Sequence, residues 1–362
     1  VLFRSGDDIA AYAHYAQNVV LAERGDIKLP KQMAFFGVEN PGDKATQLSA
    51  KYLLEPIWED LQNRESQKAG VPLRFNWQFE QILRKEATKS QLKKLLGADP
   101  QKTPALLLTA SHGMEFKYDP GDPHKQLAYQ GALLCQDWTP GSGSVDRNAY
   151  FAGEDLDEEA NVLGMIALFF ACFGVGTPKF DQFETELFKQ KKQIAPHNFI
   201  ADLPKQLLKH GALAVLGHVE RAWGYSFVSP AGFVDNQAFL KAVRHLMNGD
   251  PVGWATDPGF DMRYAEMSSD LSSYLQDESQ LSNRELVQHW TASNDARGYV
   301  VLGDPAVRIP FARDDETPTE RPSLEMPAAT AFVAEEKKSA TSVAEATPDV
   351  AAVNFGLRDQ VS

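Results

Sequence analysis

The chain has 362 residues, 43% hydrophobic and 23% charged, the balance of an ordinary water-facing globular protein of one large or two medium domains. A net charge of -13 excludes nucleic acid as a partner, because phosphate binding needs a basic surface. Two cysteines exclude a disulfide framework, and no apolar run reaches the length of a membrane span, so no membrane partner is expected.

In chain order, helical spacing runs from Asp8 to Glu23, and Met33 to Val38 reads as a strand closed by Asn40-Pro41-Gly42-Asp43. Thr46 to Leu61 is an amphipathic helix, Leu73 to Phe79 a weakly alternating strand, and Thr88 caps a helix stopped by Gly97. The apolar run Ala105-Leu106-Leu107-Leu108 predicts a buried strand, followed by a polar loop, Lys117 to Gln126. Ala128 to Trp138 reads as a short hairpin or edge element, and Asp155 to Leu163 as a short acidic helix. A second buried strand, Met165 to Phe170, follows; then a helix from Leu203 stopped by Gly211, and a strand from Ala212 to His218. Two or three helices fill Asn236 to Trp290, and Gly298 to Pro310 supplies a last strand, a turn and Val307-Arg308-Ile309.

Strand and helix alternate throughout, which predicts an α/β fold: a doubly wound, mainly parallel sheet with helices on both faces. The expected organisation is 1–30 as the remnant helix of an N-terminal accessory region, 31–313 as the sheet domain, and 314–362 as a disordered tail rich in Pro, Ala, Thr and Glu. The closing Val353-Asn354-Phe355-Gly356-Leu357 reads more readily as a chance apolar patch than as a docking motif, and the tail is the expected place for any partner protein. The chain starts Val1-Leu2-Phe3-Arg4-Ser5, which reads as a fragment or processed product, so the lack of a signal peptide says little about export. Free cysteines favour a reducing compartment, and a cytoplasmic location is expected.

Two strand ends carry the chemistry. Thr109-Ala110-Ser111-His112-Gly113 and Phe170-Ala171-Cys172-Phe173-Gly174 each follow a buried run, so a histidine and a cysteine can meet at the carboxyl edge of a parallel sheet. An imidazole beside a thiol supplies a base, an acid and a nucleophile. Glycines after Cys172 let backbone N–H groups turn toward a developing oxyanion. A free cysteine is ordinarily a small buried hydrophobe, and that default is kept for Cys135. Of the other histidines only His218 ends a strand, and it is expected to line the cleft rather than catalyse. Gly174-Val175-Gly176-Thr177 is too short for a dinucleotide fingerprint, no Gly-Lys-Ser/Thr loop exists, and no His/Cys cluster has zinc spacing. No cofactor and no metal are expected.

His-Gly after one strand and Ala-Cys-x-Gly after a later one resemble the caspase-like (clan CD) cysteine peptidases, with a similar separation between the two. Within that clan the resemblance is closest to the gingipain-type peptidases and CHAT domains, carried also by Gly211-Ala212 before Ala214-Val215-Leu216-Gly217 and by Val301-Leu302-Gly303-Asp304-Pro305. It covers most of Asp8 to Pro310 through short motifs, and departs from caspases at Phe170, where they have glutamine, and at Phe173. The resemblance implies a caspase-like fold and an endopeptidase acting on a peptide or protein through a Cys172–His112 dyad. It further implies an oxyanion hole from the N–H groups of Gly113 and Cys172. In that clan the strand after the cysteine strand shapes the substrate pocket, here ending Gly217-His218-Val219-Glu220-Arg221-Ala222-Trp223. Glu220 favours a basic substrate residue and Arg221 an acidic one, and strand alternation turns only one of them inward. Trp223 is a candidate pocket wall and Asp181 a further pocket candidate. Two alternatives stand beside the peptidase: a catalytically latent caspase-like interaction module, and a small ester or amide hydrolase.

Overall fold

The structure, a computed structural model, describes residues 9–63, 76–139, 145–183, 191–276 and 281–324. Its strands are β1 (Gln32–Gly37), β2 (Gln78–Leu83), β3 (Leu106–Ala110), β4 (Leu133–Leu134), β5 (Tyr150–Phe151), β6 (Ile166–Phe170), β7 (Gly176–Thr177), β8 (Phe199–Ile200), β9 (Ala214–His218) and β10 (Tyr299–Gly303). Six form the central sheet in the order β10-β9-β6-β3-β1-β2. All neighbours are parallel except β10, which runs antiparallel to β9 at one edge. Every residue of β3, β6 and β9 is buried, which is why these strands read as unbroken apolar runs: a parallel strand is covered on both faces.

The chain leaves β1 toward β2 on one side and returns to β3, β6 and β9 on the other. Right-handed crossovers in opposite directions place helices on opposite faces, giving the expected doubly wound α/β architecture. The helical stretch 44–62 shares one face with helix Gln237–Met247. Asn236 Nδ2 donates to the Tyr52 carbonyl at 3.4 Å and Arg244 ion-pairs with Asp60. Helices Ile9–Glu23 and Asp202–Lys209 pack together on the sheet. The helix ends are chemical: at a start, Thr88 Oγ1 accepts from Gln91 N, and at two stops Gly97 and Gly211, both at φ +100°, take left-handed conformations that a side chain resists.

Several expectations change. The second strand is Gln78–Leu83 where the sequence predicts Leu73 to Phe79; Asn76 and Trp77 lie outside it, and residues 73–75 lie outside the described residues. β2 is an edge strand whose first four residues are exposed or half-buried, so Gln78, Glu80 and Gln81 are tolerated and the apolar signal is weak. Ala128 to Trp138 begins inside a helix, His124–Tyr129, and only β4 pairs as a hairpin arm, with β5. Asp155 to Leu163 is not a helix: Gly153–Asp155 is a 3₁₀ turn. The Asp155 carboxylate instead accepts from Ala152 N at 2.8 Å and ion-pairs with Lys89 and Arg147, contacts that compete with helix. Val307-Arg308-Ile309 is extended but joins no sheet; the Val307 carbonyl accepts from Val252 N at 3.0 Å.

The domain boundaries move at both ends. Helix Ile9–Glu23 belongs to the same compact unit as the sheet, not to an appended region. The Tyr15 hydroxyl donates to the Leu213 carbonyl at 2.7 Å and accepts from Asp304 N at 2.6 Å. Residues 314–324 are likewise packed on the domain. Arg321, its guanidinium lowered by burial to about 10, donates to the carbonyls of Leu163, Thr103 and Pro104 at 2.8–3.0 Å. Glu316 ion-pairs with Lys28, and Leu324 packs against the core. Composition missed this because a few directed hydrogen bonds, not apolar area, hold the segment. Residues 325–362, with the Val353 to Leu357 motif, lie outside the described residues. Arg321→Ala orphans three carbonyls and is expected to cost about 2–4 kcal/mol in denaturant unfolding. An unchanged midpoint would mean the segment contributes nothing to the fold.

Candidate active site

The ends of β3 and β6 are joined one residue beyond the sheet, where Ser111 N donates to the Phe170 carbonyl at 3.1 Å. His112 and Cys172 therefore leave the sheet side by side at its carboxyl edge. The next residues fix how close they come. A Cβ built on Gly113 would lie 1.7 Å from the Cys172 carbonyl oxygen and 3.0 Å from its nitrogen. One built on Gly131 would lie 2.0 Å from the Phe173 oxygen. Only glycine permits this backbone-to-backbone contact. Phe173, immediately after the cysteine, holds φ +55°, a left-handed conformation uncommon for an aromatic residue. Its fully buried ring and its N–H, donated to the Glu220 carbonyl at 2.7 Å, hold it there. Among the described residues the N–H groups of Gly113 and Cys172 have no acceptor.

His112 is not in hydrogen-bond contact with the thiol. Its Nε2 lies 2.7 Å from Asp43 Oδ2. Asp43 follows β1, the strand at which the sheet order reverses, and sequence patterning reads it only as part of a turn. It is held by the helix it caps: Oδ1 accepts from Ala45 N at 3.1 Å and Oδ2 from Thr46 Oγ1 at 2.9 Å. A carboxylate on Nε2 favours the proton there and leaves Nδ1 as the basic nitrogen. The Trp138 ring stands edge-on to the imidazole, centroids 6.4 Å apart. Asp43→Asn keeps the helix cap but can present an amide donor to Nε2. It is expected to lower kcat on a peptide substrate by about 10²–10⁴-fold with little change in stability. A kcat within twofold of wild type would remove Asp43 from the site.

Cys172 is half-buried, and its sulfhydryl donates to the Ala222 carbonyl at 3.6 Å. Burial pushes the thiol up to about 11, opposed first by a backbone hydrogen bond at Ala222, reinforced by the charges of Glu115 and Asp295, and opposed again by Arg221. Cys135 is fully buried and its thiol is pushed up by burial further still, the packing residue the default predicts.

The pocket candidates divide. His218 does not line a cleft: it is completely buried, with Nε2 3.0 Å from the Asp295 carbonyl and its ring 5.0 Å from that of Tyr299. Glu220 and Arg221 do not face opposite ways, because β9 ends at His218 and the alternation ends with it. Arg221 ion-pairs with Asp181, and its Nε lies 3.8 Å from Glu220 Oε1 and 3.9 Å from Glu115 Oε1. Asp181 is fully buried and Glu220 3% exposed, its carboxyl raised by burial to about 7 with Arg221 opposing. The half-buried guanidinium thus covers both carboxylates. Trp223 is 40% exposed and packs on Phe183, centroids 5.7 Å apart.

Among the described residues no group of three or more His, Cys, Asp or Glu side chains can hold a metal ion. Nor is any described helix long and apolar enough to cross a membrane. No family model matches the chain, and no curated protein matches it.

Proposed function

We propose that the chain is a cysteine endopeptidase of the caspase-like type, with Cys172 as nucleophile and His112 as general acid and base. The observation that carries this reading is the contact of Gly113 with the Cys172 backbone, which suspends imidazole and thiol from touching loops beside two unclaimed N–H groups. In the reaction, Cys172 loses its proton to His112 and its sulfur attacks the peptide carbonyl. The N–H groups of Gly113 and Cys172 receive the oxyanion. His112 then delivers its proton to the leaving amine, and water, deprotonated by His112, hydrolyses the thioester. Asp43 orients the imidazole throughout. Because Cys172 must remain a free thiol, a reducing compartment such as the cytoplasm fits the reading.

The test is cleavage of a positional-scanning peptide library by wild type and by Cys172→Ala, with products identified by mass spectrometry. Cleavage that depends on Cys172 supports the peptidase, and the preferred residue reports what Arg221 and its carboxylates select. One observation favours a second reading, a latent interaction module: the thiol rests on the Ala222 carbonyl rather than on His112. Folded wild type that neither cleaves peptides nor reacts with iodoacetamide at neutral pH would select it.

A further inference from the structure

Behind Cys172 lies a buried polar cluster that the proposed reaction does not use. Asp295, completely buried near the C-terminus of helix Asn283–Arg297, accepts from Trp223 N at 2.7 Å through Oδ1 and from Ser226 Oγ at 2.7 Å through Oδ2. Ser226 Oγ in turn accepts from the Tyr299 hydroxyl at 2.7 Å, and His218 Nε2 lies 3.5 Å from Asp295 Oδ1. One carboxylate therefore grips both ends of the short turn 223–226. Burial raises the Asp295 carboxyl, and His218, the bonds from Trp223 N and Ser226 Oγ, and Arg263 oppose that rise.

The segment it grips touches the nucleophile twice. The Cys172 sulfhydryl donates to the Ala222 carbonyl, next to Trp223, and Phe173 N donates to the Glu220 carbonyl. A carbonyl oxygen can only accept, so the bond to Ala222 exists for the thiol and is lost in the thiolate. We infer that Asp295 is a positioning residue that, through segment 220–226, keeps the Cys172 sulfhydryl on the Ala222 carbonyl and restrains its reactivity. The inference deepens the reading of Cys172 as nucleophile and rests on it. Burial, Glu115 and Asp295 oppose the thiolate, while a backbone hydrogen bond at Ala222 and the Arg221 cation favour it. Release of the segment removes the acceptor, and loss of the Asp295 charge removes one of the two anions.

The chain has only two cysteines, and this makes a direct test available. Wild type, Asp295→Asn and Asp295→Ala are alkylated with iodoacetamide at pH 7, and the rates at Cys172 and Cys135 are read separately by peptide mass mapping. Cys172 is expected to react at least about threefold faster in Asp295→Asn, and faster again in Asp295→Ala, while fully buried Cys135 stays unreactive. The sign follows because a fall in the thiol's pKa raises the thiolate fraction more steeply than it lowers the nucleophilicity of the sulfur. Asp295→Asn, which keeps an acceptor for Trp223 N, decides the matter if Asp295→Ala does not fold. An unchanged Cys172 rate would overturn the inference, as would Cys135 reacting in step with Cys172, the mark of general loosening. Faster Cys172 alkylation in a protein that cleaves no peptide would uphold it and overturn the endopeptidase instead.

Discussion

Cys172→Ala is expected to lower peptide hydrolysis by at least about 10⁴-fold, since removing the nucleophile of a unit that acts together costs nearly as much as removing all of it. The fold should be indifferent. Cys172 is half-buried and its sulfhydryl makes one weak hydrogen bond, to Ala222, so the thermal midpoint should stay within a few degrees of wild type. Adding His112→Ala to Cys172→Ala should cost almost nothing further, because the imidazole has no thiol left to serve. Hydrolysis above about one per cent of wild type in the single variant would assign the chemistry to another group.

Gly113→Ala is the second large effect, and it strikes fold and site together. The new Cβ would lie 1.7 Å from the Cys172 oxygen and 2.8 Å from its carbonyl carbon. These are backbone atoms at the end of a fully buried strand, so no side-chain rotation relieves the clash. A destabilisation of about 1–3 kcal/mol is expected from the overpacking, read from the urea midpoint. Because the loops must part, a displacement near 1 Å is expected to cost about 10²-fold in kcat. Gly224→Ala is the matched control: no atom lies within 4 Å of its Cβ and its φ is not positive, so stability should hold. If Gly113→Ala left both midpoint and kcat unchanged, the close approach would carry no function.

The buried centre of the fold was legible because parallel strands covered on both faces must be apolar throughout. β3, β6 and β9 stand out for that reason alone. Caps were legible for an equally local reason: Thr88, Gly97 and Gly211 act on their own helix ends. Edge strand β2 was displaced in the reading because a half-exposed strand may carry Gln and Glu. The acidic stretch after Gly153 was misread because its Asp155 spends its carboxylate on Lys89 and Arg147, distant in sequence.

By itself the sequence determined the α/β class, and the placement of His112 and Cys172 at strand ends, since both follow from local patterning and the direction of a parallel sheet. Tertiary structure alone decided the partners of those two residues. Asp43 reaches His112 from a helix N-cap 69 positions away, the Ala222 carbonyl accepts from the thiol from 50 positions away, and Asp295 holds that segment from 72. It also decided that His218 is walled in, that Arg221 shields Asp181 and Glu220, and that Arg321 anchors 314–324. Each is a directed contact of one polar group with another far along the chain. Such contacts leave no periodic signature in either segment, and only the fold brings them together.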